Sequence, residues 1–572
     1  MLRSCRSNGF WVAGGILQLA VLLVPASAMA DDLANSNDYY ADMSAKAAAD
    51  EGKADSQASP SPAATDESRA TEAEGSGGAV DGPMIHSAPS FWSKVPPVEP
   101  IPRPGLFFVP PTGPGYYWAI NAFEGDCQDK PPINPYRLQF YDNDFRYLEN
   151  PANQQVDFLD PLKRIHLGCD WMLSLGGEER VRYMMEDNAY LRITDRYNDY
   201  TLLRTRLYAD LWYQDRFRIY AEYLDAEVTG EDLPPNKIDV DKSDFLNLFT
   251  DVALMDVDGT PVYARVGRQE LCYGSQRLIS ALDWANTRRT FQGAKAFWHT
   301  SDWDLDAFWT QPVIVNPTRF DSPDDRQNFA GAWATYKPVK GTSWDCYYLY
   351  LDNAHPVATG IGGVLGGINV NTVGTRYAGD CCHYLWDFEG MYQFGTYANQ
   401  NIAAGAFTTS VGYQFAGLSW NPQFWIAYDF ASGSQHPGSG DYDTFNQLFP
   451  FGHYYFGYLD LVGRQNISDF NMQFLAYPAD WITSGIQYHV FDLVSSRDAL
   501  YNAGGTAIAR DPTGTSGHHV GNEIDVFTKY QLDVHQDVLV GYSELTEGEF
   551  LEKTKPALRT PELFYTQYSY KW

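Results

Sequence analysis

The last ten residues, LFYTQYSYKW (563–572), alternate by side: Phe564, Thr566, Tyr568, Tyr570 and Trp572 share one face of an extended chain, and Tyr565, Gln567, Ser569 and Lys571 share the other. Successive side chains of a strand point to opposite sides, so this is an amphipathic strand that ends on an aromatic ring. The period of two recurs upstream. In LLRTRLYADL (202–211), Leu202, Arg204, Arg206, Tyr208 and Asp210 oppose Leu203, Thr205, Leu207, Ala209 and Leu211. In residues 217–225, Arg218, Tyr220, Glu222 and Leu224 oppose Phe217, Ile219, Ala221 and Tyr223, and the connector Tyr213-Gln214-Asp215-Arg216 is short enough for a hairpin. Residues 303–310 set Asp304, Asp306 and Phe308 against Leu305, Ala307 and Trp309, and Asp258-Gly259 offers a tight turn before VYARVG (262–267). Each segment has one side fit for water and one fit for an apolar phase.

Two architectures satisfy such faces: two sheets packed on each other, or one closed sheet that turns its apolar side to lipid. Other features favour the second. The chain of 572 residues is 15% aromatic, with 39 Tyr and 16 Trp, a heavy load of amphipathic rings. Arg3 and Arg6 precede the apolar run FWVAGGILQLAVLLV (10–24), and Ala28-Met29-Ala30 supplies a small-x-small cleavage site, so residues 1–30 read as a signal peptide. That run is short for a helix crossing about 30 Å of hydrocarbon, and no later run approaches ~20 apolar residues. The final strand resembles the terminal strand of bacterial outer-membrane barrels, where the barrel assembly machinery recognises that segment. The expected fold is all-β: a transmembrane antiparallel β-barrel over residues 165–572, set in the lipid bilayer of the outer membrane. At ~9–11 residues per membrane strand plus connections, it should hold roughly 16–20 strands, enough for an aqueous lumen.

Residues 31–84 are rich in Ala, Ser, Asp and Glu and nearly free of large apolar groups, so they read as a disordered spacer. Residues 85–164 include KVPPVEPIPRPGLFFVPPTGPG (94–115), whose prolines oppose helix; the segment reads as a periplasmic linker or a plug. Beyond the signal, Cys127, Cys169, Cys272, Cys346, Cys381 and Cys382 form no CxxC pair, which argues against a zinc site or a dense disulfide scaffold. Cys381 and Cys382 should point to opposite faces of a strand, so no metal site is expected there. No GxSxG, HExxH or P-loop motif occurs, and neither a catalytic residue nor a cofactor is expected. A net charge of -31 and export both oppose nucleic acid as a partner.

The cations are distributed against that charge. If the apolar faces meet lipid, Arg204, Arg206 and Arg218 must face the lumen, because an arginine at the lipid midplane costs about 2–4 kcal/mol. Arg265 shares a strand face with Tyr263, and Lys295 and His299 share another. The stretch VGRQELCYGSQRLISALDWANTRRTFQG (266–293) gathers Arg268, Arg277, Arg288 and Arg289 with Glu270 and Asp283. Gly267 permits a bend or bulge. SQRLISALDWANTRR (275–289) is too polar for a lipid-facing strand and reads as an outer loop or one folded into the channel. A second VGRQ (462–465) puts Arg464 beside Asp460 and Val462 on one strand face. Rings of arginine select anions in pores, and the guanidinium fork matches a carboxylate. Asp283, Glu270 and Glu222 would position these arginines and temper binding. Ion pairing for stability alone is the competing account of the same charges.

VGRQEL-x-YG-x-x-RL-I (266–279) followed by DWANTRRTFQG (283–293) resembles the alginate export family over most of the chain from about Leu173. The resemblance implies an outer-membrane barrel of 18 strands with an electropositive constriction for anionic polysaccharide. By motif match it places Arg268, Glu270, Arg277, Asp283, Arg288 and Arg289 there. The expected function is a passive channel for an anionic polysaccharide such as alginate or for smaller organic anions. The alternatives are a structural or adhesive barrel tethered by its N-terminal segment, and a barrel enzyme.

Overall fold

The computed structural model describes residues 136–149, 157–168, 170–214, 216–338, 342–415, 418–420, 422–479 and 481–572. The signal, the spacer, most of the Pro-rich segment, Cys127 and Cys169 lie outside the described residues. Eighteen strands form one closed antiparallel cycle. In chain order the first nine are β1 (Trp171–Tyr190), β2 (Arg192–Tyr213), β3 (Phe217–Thr229), β4 (Asp241–Val257), β5 (Thr260–Gln269), β6 (Phe291–His299), β7 (Trp303–Ile314), β8 (Gln327–Tyr336) and β9 (Thr342–Thr359). The rest are β10 (Leu365–Cys381), β11 (Tyr384–Tyr397), β12 (Gln400–Gln414), β13 (Gln423–Ala431), β14 (Ile467–Ala479), β15 (Ile482–Leu493), β16 (His519–Gln531), β17 (Gln536–Glu547) and β18 (Glu562–Lys571). Each pairs with its chain neighbours, and β18 returns to β1 from Glu178↔Lys571 to Asp187↔Glu562. Closure leaves no free edge, so the strands' main-chain polar groups find partners within the sheet.

The alternation read from the sequence sets the two surfaces. Leu203, Leu207, Ile219, Val252, Val266, Leu305 and Trp309 are exposed outward, whereas Arg204, Arg206, Tyr208, Arg218, Tyr220, Glu222 and Asp306 are buried inward. The outer face offers lipid an apolar band, and the inner face carries the polar and charged side chains. On β18, Tyr565 and Ser569 turn inward and Tyr568 outward. No helix among the described residues is long and apolar enough to cross a membrane.

One end of the barrel carries mostly short turns and the other the long loops, the arrangement of outer-membrane barrels, whose long loops lie outside the cell. At the short-turn end, Asp258 (φ 50°) and Gly259 (φ 81°) have the paired positive φ values of a type I′ hairpin turn. The expectation for the vicinal cysteines is corrected. Cys382 has left the strand at φ 53°, so alternation no longer applies, and its Sγ lies 3.1 Å from that of Cys381. Among the described residues, Cys272, Cys346 and Cys382 are free thiols.

Two long loops fold inward. Residues 270–290, between β5 and β6, bury Leu278, Ile279, Ala281, Trp284 and Ala285. Residues 432–466, between β13 and β14, bury Phe445, Phe451 and Phe456 and contain one short helix, α1 (Gly452–Tyr455). The loops meet along Ile279↔Phe449, where Ser280 N donates to Phe449 O and Phe449 N donates to Leu278 O, both at 2.9 Å. This corrects the reading of the second VGRQ: residues 462–465 lie in the inward loop rather than on a strand. Asp460 and Asn466, with φ of 55° and 53°, turn the chain there.

Candidate functional site

The inward faces of β1 to β4 meet residues 270–290 in a continuous circuit of charge. Arg204 donates to Glu178 through Nε (2.9 Å) and Nη2 (2.6 Å), and Nη2 reaches Asp283 at 3.0 Å. Asp283 also accepts from Arg288, whose Nε donates to Glu270 at 2.6 Å. Asn247 Nδ2 joins Glu270 (3.2 Å) to Glu222 (2.9 Å). Glu222 accepts from Arg206 at 2.7 Å, and Arg206 lies 3.7 Å from Glu178, closing the circuit. Arg204 and Arg206 are each 1% exposed. Asp283 presents 32% of its side chain to solvent.

Two further arginines stand on the same face of β1 and take neutral acceptors. Arg180 donates to the carbonyls of Asp283 (2.8 Å) and Ala285 (3.0 Å) and to Asn286 Oδ1 (3.2 Å). Arg182 donates to the Trp284 carbonyl and to Gln567 Oε1, each at 2.7 Å, and its guanidinium lies 3.7 Å above the Trp284 ring. His453 of the second loop stacks on that ring at 3.8 Å. Lys571 sits opposite Glu178 across the closing ladder and, like Lys529, lies near Asp537; the two lysines are about a quarter exposed.

The remaining sequence candidates separate into places. Arg218 and Arg265 flank Asp251 nearer the short-turn end: Arg265 binds it with Nε and Nη2 at 2.7 and 2.9 Å, and Arg218 lies 3.5 Å away while also pairing with Asp210. Arg277 reaches Asp387 (3.1 Å) and Glu389 (3.0 Å) on β11. Arg464 donates to Asp429 on β13 (2.6 Å), and both Arg277 and Arg464 lie over the Tyr455 ring. Arg289 donates to the carbonyls of Ser280 and Pro450, tying one loop to the other. Lys295 and His299 both bind Asp306.

Arg268 does not join the others, against the motif-based expectation. Its ladder neighbours, Leu248 and Gln292, are exposed, and its guanidinium runs to Asp244 (3.3 Å) and to the carbonyls of Phe245 and Asp321 (2.8 Å each). Gly267 explains the tight approach before it: at φ 136°, an added Cβ would lie 2.2 Å from the Leu248 carbonyl oxygen.

Titration in the inward loop follows the pairing. Burial would raise the Asp283 carboxyl, but Arg204 and Arg288 outweigh it and hold it well below the usual range. Burial dominates at Glu270, which is raised despite Arg288. Burial lowers Arg289 to about 10, since its partners are carbonyls.

Residues 136–149 pack against the arginines from within the barrel. Phe140 lies under Arg206 at 3.9 Å, and Tyr141 packs with Tyr220 and Phe249. Tyr141 OH donates to the Glu270 carbonyl (3.1 Å), Arg218 donates to the Tyr141 carbonyl (2.6 Å), and Arg288 donates to the Leu138 carbonyl (3.2 Å).

The sequence reading missed Glu178, Arg180, Arg182, Asn247, Lys529 and Lys571. EERVRYMM (178–185) carried the signal for the first three, because alternation puts Glu178, Arg180 and Arg182 on one face. Asn247 is placed by the β3–β4 register opposite Glu222, Lys529 by its pairing on β16, and Lys571 by the register that closes the barrel.

The family model described as Alginate export matches residues 171–563. Solved structures of similar fold include the outer membrane protein OprD of Pseudomonas aeruginosa, at 11% identity and a TM-score of 0.45 over 70% of this chain and 94% of that one. OccD3 (OpdP) of the same organism matches at 12% identity and 0.47 over 70% and 91%, and its OccK8 (OprE) at 12% and 0.46 over 70% and 98%. No curated protein matches the sequence.

Proposed function

Because the chain belongs to the alginate export family of outer-membrane barrels, we propose that this channel passes anionic solutes, an anionic polysaccharide among them, along the arginine-rich wall of β1 to β4. One observation carries the reading. Arg180, Arg182, Arg204, Arg206 and Arg288 converge on a circuit containing the carboxylates Glu178, Glu222, Glu270 and Asp283, so cations outnumber carboxylates, and two of the arginines rest on neutral acceptors. A low-dielectric wall focuses such an excess. Lys529 and Lys571 extend the positive surface toward solvent, while the exposed Asp283 keeps attraction weak enough for release.

In this reading a carboxylate of the cargo competes for the guanidinium forks now held by loop carbonyls. Residues 136–149 act as a floor beneath them whose displacement opens the path. The tethered structural barrel remains the second reading, because those residues also fasten the N-terminal segment to the barrel. Single-channel recording with and without oligouronates separates the two. The channel reading predicts concentration-dependent block that R180Q/R182Q weakens; conductance without block removes the polysaccharide from the cargo, and absent conductance supports the tether.

A further inference from the structure

Arg268, displaced from the arginine wall, marks a different cluster at the long-loop end. Asp241 and Asp244 open β4, and Asp321 belongs to the loop of residues 315–326 between β7 and β8. One carboxylate oxygen of each lies within 4.8 Å of the others. Asp241 and Asp244 are each 3% exposed. Arg268 is the cation that binds the cluster among the described residues, through Asp244 at 3.3 Å; nearby Lys242 is occupied with Glu227 at 3.1 Å. Three carboxylates therefore face one guanidinium.

Their other partners do not offset this. Asp244 accepts from Asp321 N and, through Oδ1, from Phe245 N, and Asp321 Oδ1 accepts from Asn316 N at 2.6 Å. Asp241 Oδ1 is buried with no hydrogen-bond partner among the described residues. A buried carboxylate oxygen without a donor is costly, and this one belongs to a group that faces two further carboxylates. A divalent cation removes both difficulties. Calcium binds oxygens at about 2.3–2.6 Å, so two ligands of one ion stand at most roughly 5 Å apart, and the three oxygens of this cluster lie within that limit.

We propose that Asp241, Asp244 and Asp321 hold a hard divalent cation of the calcium class, which fastens the loop of residues 315–326 to the rim of β4. Arg268 acts there as a positioning residue, neutralising part of Asp244 and holding the Asp321 backbone by its carbonyl. The choice of class follows from the all-oxygen donor set; imidazole and thiolate, the preferred ligands of zinc and copper, are absent from the cluster. The ion sits outside the arginine wall, so its binding is independent of what the channel carries.

Isothermal titration of calcium into the full-length, detergent-solubilised barrel tests this. One site is expected, in the range of about 10⁻⁴–10⁻³ M typical of extracellular calcium modules, with at least about a tenfold loss of affinity in D241N/D321N. Unchanged binding in that double variant overturns the proposal. So does absence of binding at about 10 mM calcium, which would assign the cluster to shared protons. Hydrogen exchange on the unsubstituted protein guards against misfolding of the variant. Calcium should slow exchange in residues 241–245 and 315–326, and no change in those segments contradicts the site.

Discussion

Along β1 and β2, Arg180, Arg182 and Arg204 donate to the carbonyls of Asp283, Trp284 and Ala285. On β16, Glu523 and Asp525 instead accept from the amides of Leu459 (2.9 Å) and Tyr458 (3.2 Å). The first wall is cationic and meets the oxygen-presenting side of residues 270–290. The second, with Asp469 and His489 paired at 2.8 Å, is mainly acidic and meets the N–H-presenting side of residues 432–466. Each inward loop thus solvates its wall with main-chain dipoles of the opposite sign. Both walls are covered, with Arg204 and Arg206 each 1% and Glu523, Asp525 and Asp469 each 0% exposed; they differ in composition, since the arginine wall also contains carboxylates that pair with its guanidiniums.

Removing one charge from each wall gives the largest contrast. Arg204→Ala leaves Glu178 buried with only Arg206 at 3.7 Å, and breaking a buried pair this way costs about 3–5 kcal/mol. Asp525→Asn leaves the amide contact available and should cost no more than about 1–3 kcal/mol. Urea unfolding of the two variants in detergent compares them, and equal losses would erase the distinction between the walls.

Arg180→Gln with Arg182→Gln sharpens the functional side. Both arginines rest on neutral acceptors, so stability should fall by only about 1–3 kcal/mol per site. Anion preference in planar bilayers should fall toward none. Retained preference would move the selective charge to Lys529 and Lys571.

Asp283→Asn has a smaller expected effect. Asp283 is 32% exposed but pairs with the buried guanidiniums of Arg204 and Arg288, so stability should fall by about 1–3 kcal/mol, while anion preference rises. A large destabilisation would make Asp283 a structural member of the circuit rather than its solvent-facing partner.

The smallest effect concerns the floor beneath the arginine wall. Lys163 is buried beside Tyr136, Phe145 and Tyr208 and donates to the Leu175 carbonyl at 2.6 Å. Burial outweighs Asp157 and Asp160 and lowers its pKa from 10.5 to about 7. Between those values the undocked lysine carries a proton that the docked one lacks. Docking of this segment should therefore strengthen as pH rises from about 7 toward 10.5 and stay level below 7. Limited proteolysis across that range measures it; protection that falls with rising pH contradicts the assignment.

The comparison also shows where sequence reading succeeds. Alternation in LLRTRLYADL and in the final strand fixed which side chains face inward, because a one-residue slip would turn Arg204 and Arg206 to lipid. It could not place residues 270–290 and 432–466, whose paths depend on left-handed turns at Leu282 (φ 55°), Arg288 (φ 60°), Gly457 (φ 81°) and Asp460 (φ 55°). Three of those four are not glycine, so no composition signal announces them. The place of Arg268 is hidden for a related reason: the motif that groups it with Arg277 and Arg288 carries no information about which side of the sheet it takes after Gly267. The repeated VGRQ suggests a strand at Arg464, yet tertiary packing holds those residues in a loop.

In the proposed channel the arginine wall, and not the chain's net charge of -31, sets what the barrel admits. The reversal potential of the full-length channel in a planar bilayer under a potassium chloride gradient tests it most directly. The arginine wall predicts a potential displaced toward the chloride equilibrium value; displacement toward that of potassium would contradict it.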